Sequence, residues 1–84
     1  MATYTVQFKP SSTSVTQQLK VEGETWGQMA QDFSRKSGGH GTDEFYSLFL
    51  RLDDPTQLYS YHALPKNTDR YIHLQDYIGE QTKI

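Results

Sequence analysis

"GETWGQMAQDFSRKSGG", residues 23–39, is the stretch that decides the fold. Its apolar residues recur at positions i, i+3, i+4 and i+7, which form one stripe along an amphipathic helix. The members of this stripe are Trp26, Met29, Ala30 and Phe33. We therefore predict one helix over residues 25–37, with Trp26, Met29 and Phe33 buried against a sheet.

Both ends of this helix carry recognisable signals. Thr25 followed by Gln28 matches a capping box, in which each side chain bonds to an amide at the helix start. Arg35 and Lys36 fall in the last turn, where positive charge complements the helix dipole. Gly38 stands where a left-handed residue is favoured after a helix. The helix is therefore predicted to end near residue 37.

Alternation of apolar and polar residues predicts strands on both sides of the helix. Two strands precede it and form a hairpin, Thr3–Phe8 and Val15–Val21, the second with Val15, Leu19 and Val21 on one side. Three follow it: Phe45–Leu52, a short edge strand Leu58–His62, and Arg70–Gln75. The side expected to face the helix carries Tyr4, Val6, Leu48, Leu50, Ile72 and Leu74.

One helix against one face of a sheet is a two-layer arrangement that a small domain can form. The predicted fold class is therefore α+β, with a four- or five-stranded mixed sheet in the order ββαβ(β)β. The 84 residues of the chain provide for one domain. We assign it to residues 1–78 and expect residues 79–84 to form a flexible C-terminal tail.

The succession "TYTVQF", "QQLKVEGETWGQMAQDF", "FYSLFLRL", "LYSYHALP" and "DRYIHLQ" resembles the ubiquitin-like β-grasp plan over residues 3 to about 75. The resemblance implies that the first and last strands pair in parallel at the centre of the sheet. Conjugating members of that family end in a diglycine tail, whereas this chain ends in "GEQTKI". The resemblance therefore implies noncovalent binding, and not covalent transfer.

Composition argues against several classes of protein. Eight basic and ten acidic residues give a net charge of −2, whereas duplex-binding domains usually carry a basic excess. The chain has no cysteine, which removes disulfides and thiolate zinc sites and suits a cytoplasmic protein. The longest apolar run, Leu48-Phe49-Leu50, is too short to cross a membrane. We expect no membrane association, and nucleic acid is the less favoured partner.

The loop "SGGHG", residues 37–41, is open to three interpretations. A phosphate cradle is disfavoured because such a loop leads into a helix N-terminus, whereas this one follows a helix. A metal site would use His40, Asp43 and Glu44 with His62 or His73, but the glycines give it little rigidity. The third interpretation, a helix stop and connector, explains the glycines best.

Enzyme chemistry finds little support in the sequence. No G-x-S-x-G elbow accompanies the serines and the three histidines. Asp53-Asp54 before Pro55 lacks the spacing of a calcium loop and indicates a turn instead. We therefore expect a non-enzymatic protein with no cofactor, no metal and no catalytic residue.

The second face of the predicted sheet is the most informative feature for function. The alternation places aromatic and charged residues there, where polar residues are usual. They are Phe45, Phe49, Arg51, Tyr71 and His73, and we predict that they bind a partner. Aromatic residues and Arg are enriched at interaction hot spots. The alternative is that Tyr77 and Ile78 cover Phe45 and Phe49 as a satellite cluster.

Three functions are compatible with such a face. The first is a protein-binding module, an adaptor or a stoichiometric inhibitor of a larger protein complex, of the kind that phages or mobile elements encode. The second is a single-stranded nucleic-acid binder that stacks bases on Phe45, Phe49 and Tyr71, with Arg51, Lys66 and Arg70 as a basic rim. The third is a structural subunit whose apolar face is permanently buried. The partner and the oligomeric state are left open.

Overall fold

Five strands and three helices follow one another along residues 1–79, which are the residues that the computed structural model describes. The strands are β1 (Ala2–Phe8), β2 (Gln17–Gly23), β3 (Phe49–Arg51), β4 (Gln57–Tyr59) and β5 (Tyr71–His73). The helices are α1 (Trp26–Lys36), α2 (Thr42–Tyr46) and α3 (Leu74–Gly79), and a 3-10 turn spans Tyr61–Ala63. The α+β class with a five-stranded mixed sheet is confirmed. Apart from Gly79, the predicted tail lies outside the described residues.

The helix predicted over residues 25–37 forms as α1. The Thr25 hydroxyl accepts a hydrogen bond from the Gln28 amide at 3.1 Å, as the capping pattern predicts. The Gln28 side chain accepts a hydrogen bond from the Glu24 amide at 2.7 Å. A capping box would use the Thr25 amide instead, which is one residue later. Gly38, with a φ of 85°, adopts the left-handed conformation that stops the helix.

The sheet has the strand order β2-β1-β4-β3-β5. Strands β1 and β4 run parallel at its centre, and every other neighbouring pair is antiparallel. The predicted parallel pairing of the first and last strands is therefore wrong. The short turn after β3 returns the chain along one edge of β3, so β4 fills the place between β3 and β1. Strand β5 then pairs with the remaining edge of β3.

Two segments that were predicted as strand are helical. Phe45 and Tyr46 belong to α2, so that only Phe49–Arg51 of the predicted strand pairs with neighbours. Asp43 and Glu44 lie in the first turn of α2, where negative charge offsets the helix dipole. Leu74 begins α3 where the last strand was predicted to continue. Short apolar runs of this kind fit either structure, and tertiary packing decides between them.

All three helices lie on one side of the sheet. The Phe45 ring of α2 is 5.8 Å from the Phe33 ring of α1, and the Tyr77 ring of α3 meets the Trp26 ring edge-on at 6.3 Å. Met29 and Phe33 are fully buried as predicted, whereas Trp26 is partly buried. The buried hydrophobic residues are Tyr4, Val6, Phe8, Val21, Met29, Ala30, Phe33, Phe45, Leu48, Leu50, Leu58 and Leu74. Ile72, also predicted to face the helix, is half-buried beside them.

Strand β2 begins and ends for different reasons. It begins at Gln17 and not at Val15, as had been predicted. Val15 is 82% exposed and is not part of the core, so its predicted place beside Leu19 and Val21 was wrong. It ends at Gly23, where the main chain comes close to the start of α1. A Cβ at this position would lie 2.9 Å from the Gln28 Cβ and from the Met29 amide nitrogen. Only glycine lets the hairpin and the helix approach this closely.

The outer edge of β2 is bonded to α1 through the buried side chain of Asp32. Its carboxylate accepts from the Glu22 amide at 2.9 Å, from Arg35 at 2.6 Å and from Lys36 at 2.9 Å. Lys36 also donates to the Lys20 carbonyl on the same edge. Burial favours the neutral acid, but these hydrogen bonds outweigh it and lower the pKa of Asp32 below its ordinary value. The edge of the sheet is thereby partly covered.

Replacement of Phe33 by alanine tests the core. Because the ring is fully buried between the sheet and α2, Phe33→Ala should lower the free energy of unfolding by ~3–5 kcal/mol. Urea unfolding followed by circular dichroism measures this change. Gln31→Ala, at an exposed position of the same helix, is the control and should stay within about 0.5 kcal/mol. A loss below about 1 kcal/mol for Phe33→Ala would contradict the packing of α1.

Asp32→Ala should lower the free energy of unfolding by about 1.5–3 kcal/mol at neutral pH, because charge-assisted hydrogen bonds are lost. The pKa of Asp32 is lowered in the folded state, so its contribution is present above the unfolded value near 3.9 and disappears as the pH falls below it. The difference from the native chain should therefore shrink below about pH 4. A pH-independent difference, measured by urea unfolding at several pH values, would argue against this linkage.

Candidate interaction surface

The face of the sheet opposite the helices is divided into a polar half and an aromatic half. One cross-strand row runs over all five strands, because Gln7 pairs with Gln18 and Tyr59, and Phe49 pairs with Tyr59 and His73. Strands β1 and β2 contribute polar residues to this face, such as Gln7 and Gln18. Strands β4, β3 and β5 contribute what we call the aromatic patch: Phe49, Arg51, Tyr59, Tyr71 and His73.

Neighbouring rings of the aromatic patch contact each other edge to face. The Phe49 and His73 centroids are 5.1 Å apart with planes at 87°, and those of Tyr59 and Tyr71 are 5.3 Å apart at 86°. Such contacts are favourable for aromatic quadrupoles and hold the rings in one arrangement. All five side chains of the patch are half-buried. The patch is therefore a preformed surface.

Four of the five residues predicted for this face are in the patch: Phe49, Arg51, Tyr71 and His73. The fifth, Phe45, is not, and its predicted place on the sheet was wrong. It lies in α2, is fully buried on the helix side, and contacts the rings of α1. Helix formation over residues 42–46 turns its side chain into the core.

Tyr59 is the member of the patch that sequence reasoning missed. It follows Leu58, which is fully buried, so alternation within β4 puts its ring on the opposite face. This signal was present in "QLY", residues 57–59, but the strand was expected at the edge of the sheet. Its central place between β1 and β3 brings Tyr59 beside Phe49.

The aromatic patch is not covered by the C-terminal helix within residues 1–79. Tyr77 meets Trp26 on the helix side, and Ile78 packs against the core there. The predicted alternative, in which these two side chains cover Phe45 and Phe49, is therefore not what the described chain forms. Within residues 1–79, the rings of the patch are accessible along one side.

The charged members of this surface are paired. Arg51 donates to Asp53 through Nε at 2.6 Å and through Nη2 at 3.3 Å, and Arg70 approaches the same carboxylate at 3.5 Å. Hydrogen bonds to Asp53 and Tyr59 raise the pKa of Arg51, and the bond from Arg51 lowers the pKa of Asp53. The pKa of Tyr71 is raised, mainly by partial burial and to a smaller extent by the nearby Tyr59. Asp53 thus offsets the charge of Arg51 within the patch, and Arg70 leaves one positive charge in excess at its border.

The glycine loop has a structural arrangement of its own. Gly38 and Gly39 have positive φ angles, and α2 begins only three residues later, at Thr42. His40 packs edge-on against the Phe8 ring at 4.8 Å, and its Nδ1 lies 2.9 Å from Glu44 Oε2. Among residues 1–79, no three potential ligands are close enough to hold a metal ion. The loop therefore connects α1 to α2 and places one ring over the core.

The surface of residues 1–79 contains two crevices large enough for a small ligand. One, of about 140 Å³, is lined by residues that include Phe8, Glu44, Ser60 and His62. The Ser60 hydroxyl accepts from the Lys9 amide at 2.8 Å and donates to the Lys9 carbonyl at 3.1 Å, so it is committed to the main chain. The other, of about 410 Å³, is lined by Asp43, Tyr46, Gln75 and Ile78. Neither brings together a recognisable set of catalytic groups.

Comparison with known proteins adds no assignment. No protein-family model, no curated protein and no solved structure matches the chain. Within the described residues, no helix combines the length and the apolar character needed to cross a bilayer. The aromatic patch is therefore the feature of the described residues that best indicates a function.

Alanine substitutions at Phe45 and Phe49 should separate core from surface. Phe45→Ala should lower the free energy of unfolding by ~3–5 kcal/mol, because its ring is fully buried. Phe49→Ala should cost less than half as much, because its ring is half-buried on the open face. Urea unfolding of the two variants measures the difference. Equal losses would show that Phe49 is part of the core.

Proposed function

We propose that this protein is a non-enzymatic protein-binding module that acts as an adaptor or a stoichiometric inhibitor of a larger protein complex. It docks through the aromatic patch. The observation that supports this most strongly is that three strands bring four aromatic rings, including the His73 imidazole, and one arginine into a contiguous surface opposite the helices. Zero cysteines suit a reducing compartment, so we propose the cytoplasm as its location.

The chemistry of the patch suits a protein partner. Aromatic residues and Arg contribute most of the energy at many interfaces, and they cluster at the centre with a polar rim. Here Gln7 and Gln57 lie beside the rings and supply such a rim. Because the edge-to-face contacts already order the rings, little side-chain entropy is lost on docking. A surface of ordered aromatic rings around one paired arginine is what a protein partner can bury.

Single-stranded nucleic acid fits the patch less well. Stacking of bases needs accessible ring faces together with cations for the phosphates. Here rings of the patch turn an edge to a neighbouring face, and both arginines of the surface are engaged by Asp53. In a structural subunit of a larger assembly, the same patch would be buried permanently. Light scattering of the purified protein measures its oligomeric state and so distinguishes such a subunit from a free binding module.

We further propose that the architecture is a variant of the β-grasp plan. A hairpin followed by a helix across one face, with β1 parallel to a later strand at the centre, supports this assignment. In the variant, the fourth strand takes the central place and the fifth lies at the edge. The open face of the sheet, a common docking surface in ubiquitin-like domains, then carries the aromatic patch.

The proposal is tested by affinity capture from the native host, followed by binding measurements with the purified partner. Phe49→Ala and Tyr71→Ala should each weaken binding by about 2 kcal/mol or more, which is roughly thirtyfold. Gln18→Ala, on the polar half of the same face, is the matched control and should bind as the native chain does. Thermal unfolding of each variant must show an intact domain. A partner that binds all three variants equally would exclude the aromatic patch as its docking site.

A further inference from the structure

Asp53 lies at the border of the aromatic patch, between two arginines. It lies in the turn after β3, and its carboxylate bonds to Arg51 at 2.6 and 3.3 Å. The same carboxylate lies 3.5 Å from the guanidinium of Arg70, which comes from the segment before β5. One acidic side chain thus contacts both arginines of this surface.

The two arginines would otherwise be accessible to an anion. The side chain of Arg70 is 73% exposed and that of Arg51 is 40% exposed, so neither is sequestered by the fold itself. Arg51 is itself a member of the patch, and Tyr59 and Tyr71 lie near its guanidinium. A phosphate beside these rings would have to compete with the Asp53 carboxylate for the same donors.

Aromatic rings on a sheet beside unpaired cations form the chemistry that single-stranded nucleic acids bind. Bases stack on the rings, while arginine or lysine neutralises the phosphates. The patch has the rings, and its cations are occupied. A carboxylate also repels a phosphate directly, because two negative charges close to each other interact unfavourably. The specificity of the surface therefore depends on a charge at its edge.

We propose that Asp53 is a specificity-determining residue that excludes single-stranded nucleic acid from the aromatic patch. It does so by holding Arg51 and Arg70 and by placing a negative charge where a phosphate would bind. This inference rests on the proposed function, because it explains how an aromatic docking face for protein avoids a common competitor. Specific interfaces often include such a repulsive element.

Removal of this carboxylate should create a new binding activity. The test measures fluorescence anisotropy of a labelled oligothymidylate of roughly 15 nucleotides, at about 50 mM NaCl. Asp53→Asn should bind at least about tenfold more tightly than the native chain, because two guanidiniums become available to phosphates. Its salt dependence should steepen by about 1.4 on a log–log plot, the value for two additional phosphate contacts.

Asp69→Asn is the matched control. It makes the same change in net charge at an exposed position next to Arg70, and it should bind as weakly as the native chain. Adding Phe49→Ala to Asp53→Asn should abolish the gain, since the rings supply the stacking surface. If Asp53→Asn fails to fold by thermal unfolding, Asp53→Ser carries the same test.

Equal oligonucleotide affinity for Asp53→Asn and Asp69→Asn would overturn the proposal, as would tight binding by the native chain. A gain that survives Phe49→Ala would also overturn it, because the new site would then lie outside the patch. Failure of the proposed function is distinguishable: it would leave no captured protein that depends on Phe49, whatever the oligonucleotide result.

Discussion

The packing of α1 on one side of the β1–β2 hairpin is the constraint on which the rest of the structure depends. Phe33 and Met29 are buried there, and the Asp32 carboxylate bonds the helix to the edge of β2. Gly23 permits the close approach. Helices α2 and α3 pack on the same side, and no helix of residues 1–79 covers the other side of the sheet. The position of the aromatic patch follows from that choice.

The patch itself is a nonlocal structure. Its residues come from β3, β4 and β5, and the pairing of these strands sets which rings meet. The parallel pairing of β1 with β4 matters most, because it moves Tyr59 from an expected edge to the middle of the face. The same strand carries Leu58 into the core. A three-residue strand therefore contributes to both layers of the domain.

Two aspartates of this small domain each form ion pairs with nearby cationic side chains. Asp32 on the helix side stabilises the fold, since its three donors come from α1 and from β2. Asp53 on the open side instead forms ion pairs with Arg51 of the patch and with Arg70 at its border. Both carboxyl groups have lowered pKa values because cationic donors bond to them. The first is buried and has a structural role, whereas the second is accessible, as the role in recognition that we propose for it requires.

The sequence by itself determined the features that depend on neighbours along the chain. Helix α1 with its cap and its terminal glycine, the hairpin before it, and the alternation that sends Phe49, Arg51, Tyr71 and His73 to one face were all predictable, because helical and strand periods are local. The central place of β4 was not, and neither was the helical state of Phe45, nor Tyr59 as a member of the patch. The place of β4 and of Tyr59 depends on which strand edges are free to pair with residues 57–59. The helical state of Phe45 depends on which rings fill the core. Contacts between distant segments settle both, and only the tertiary structure contains them.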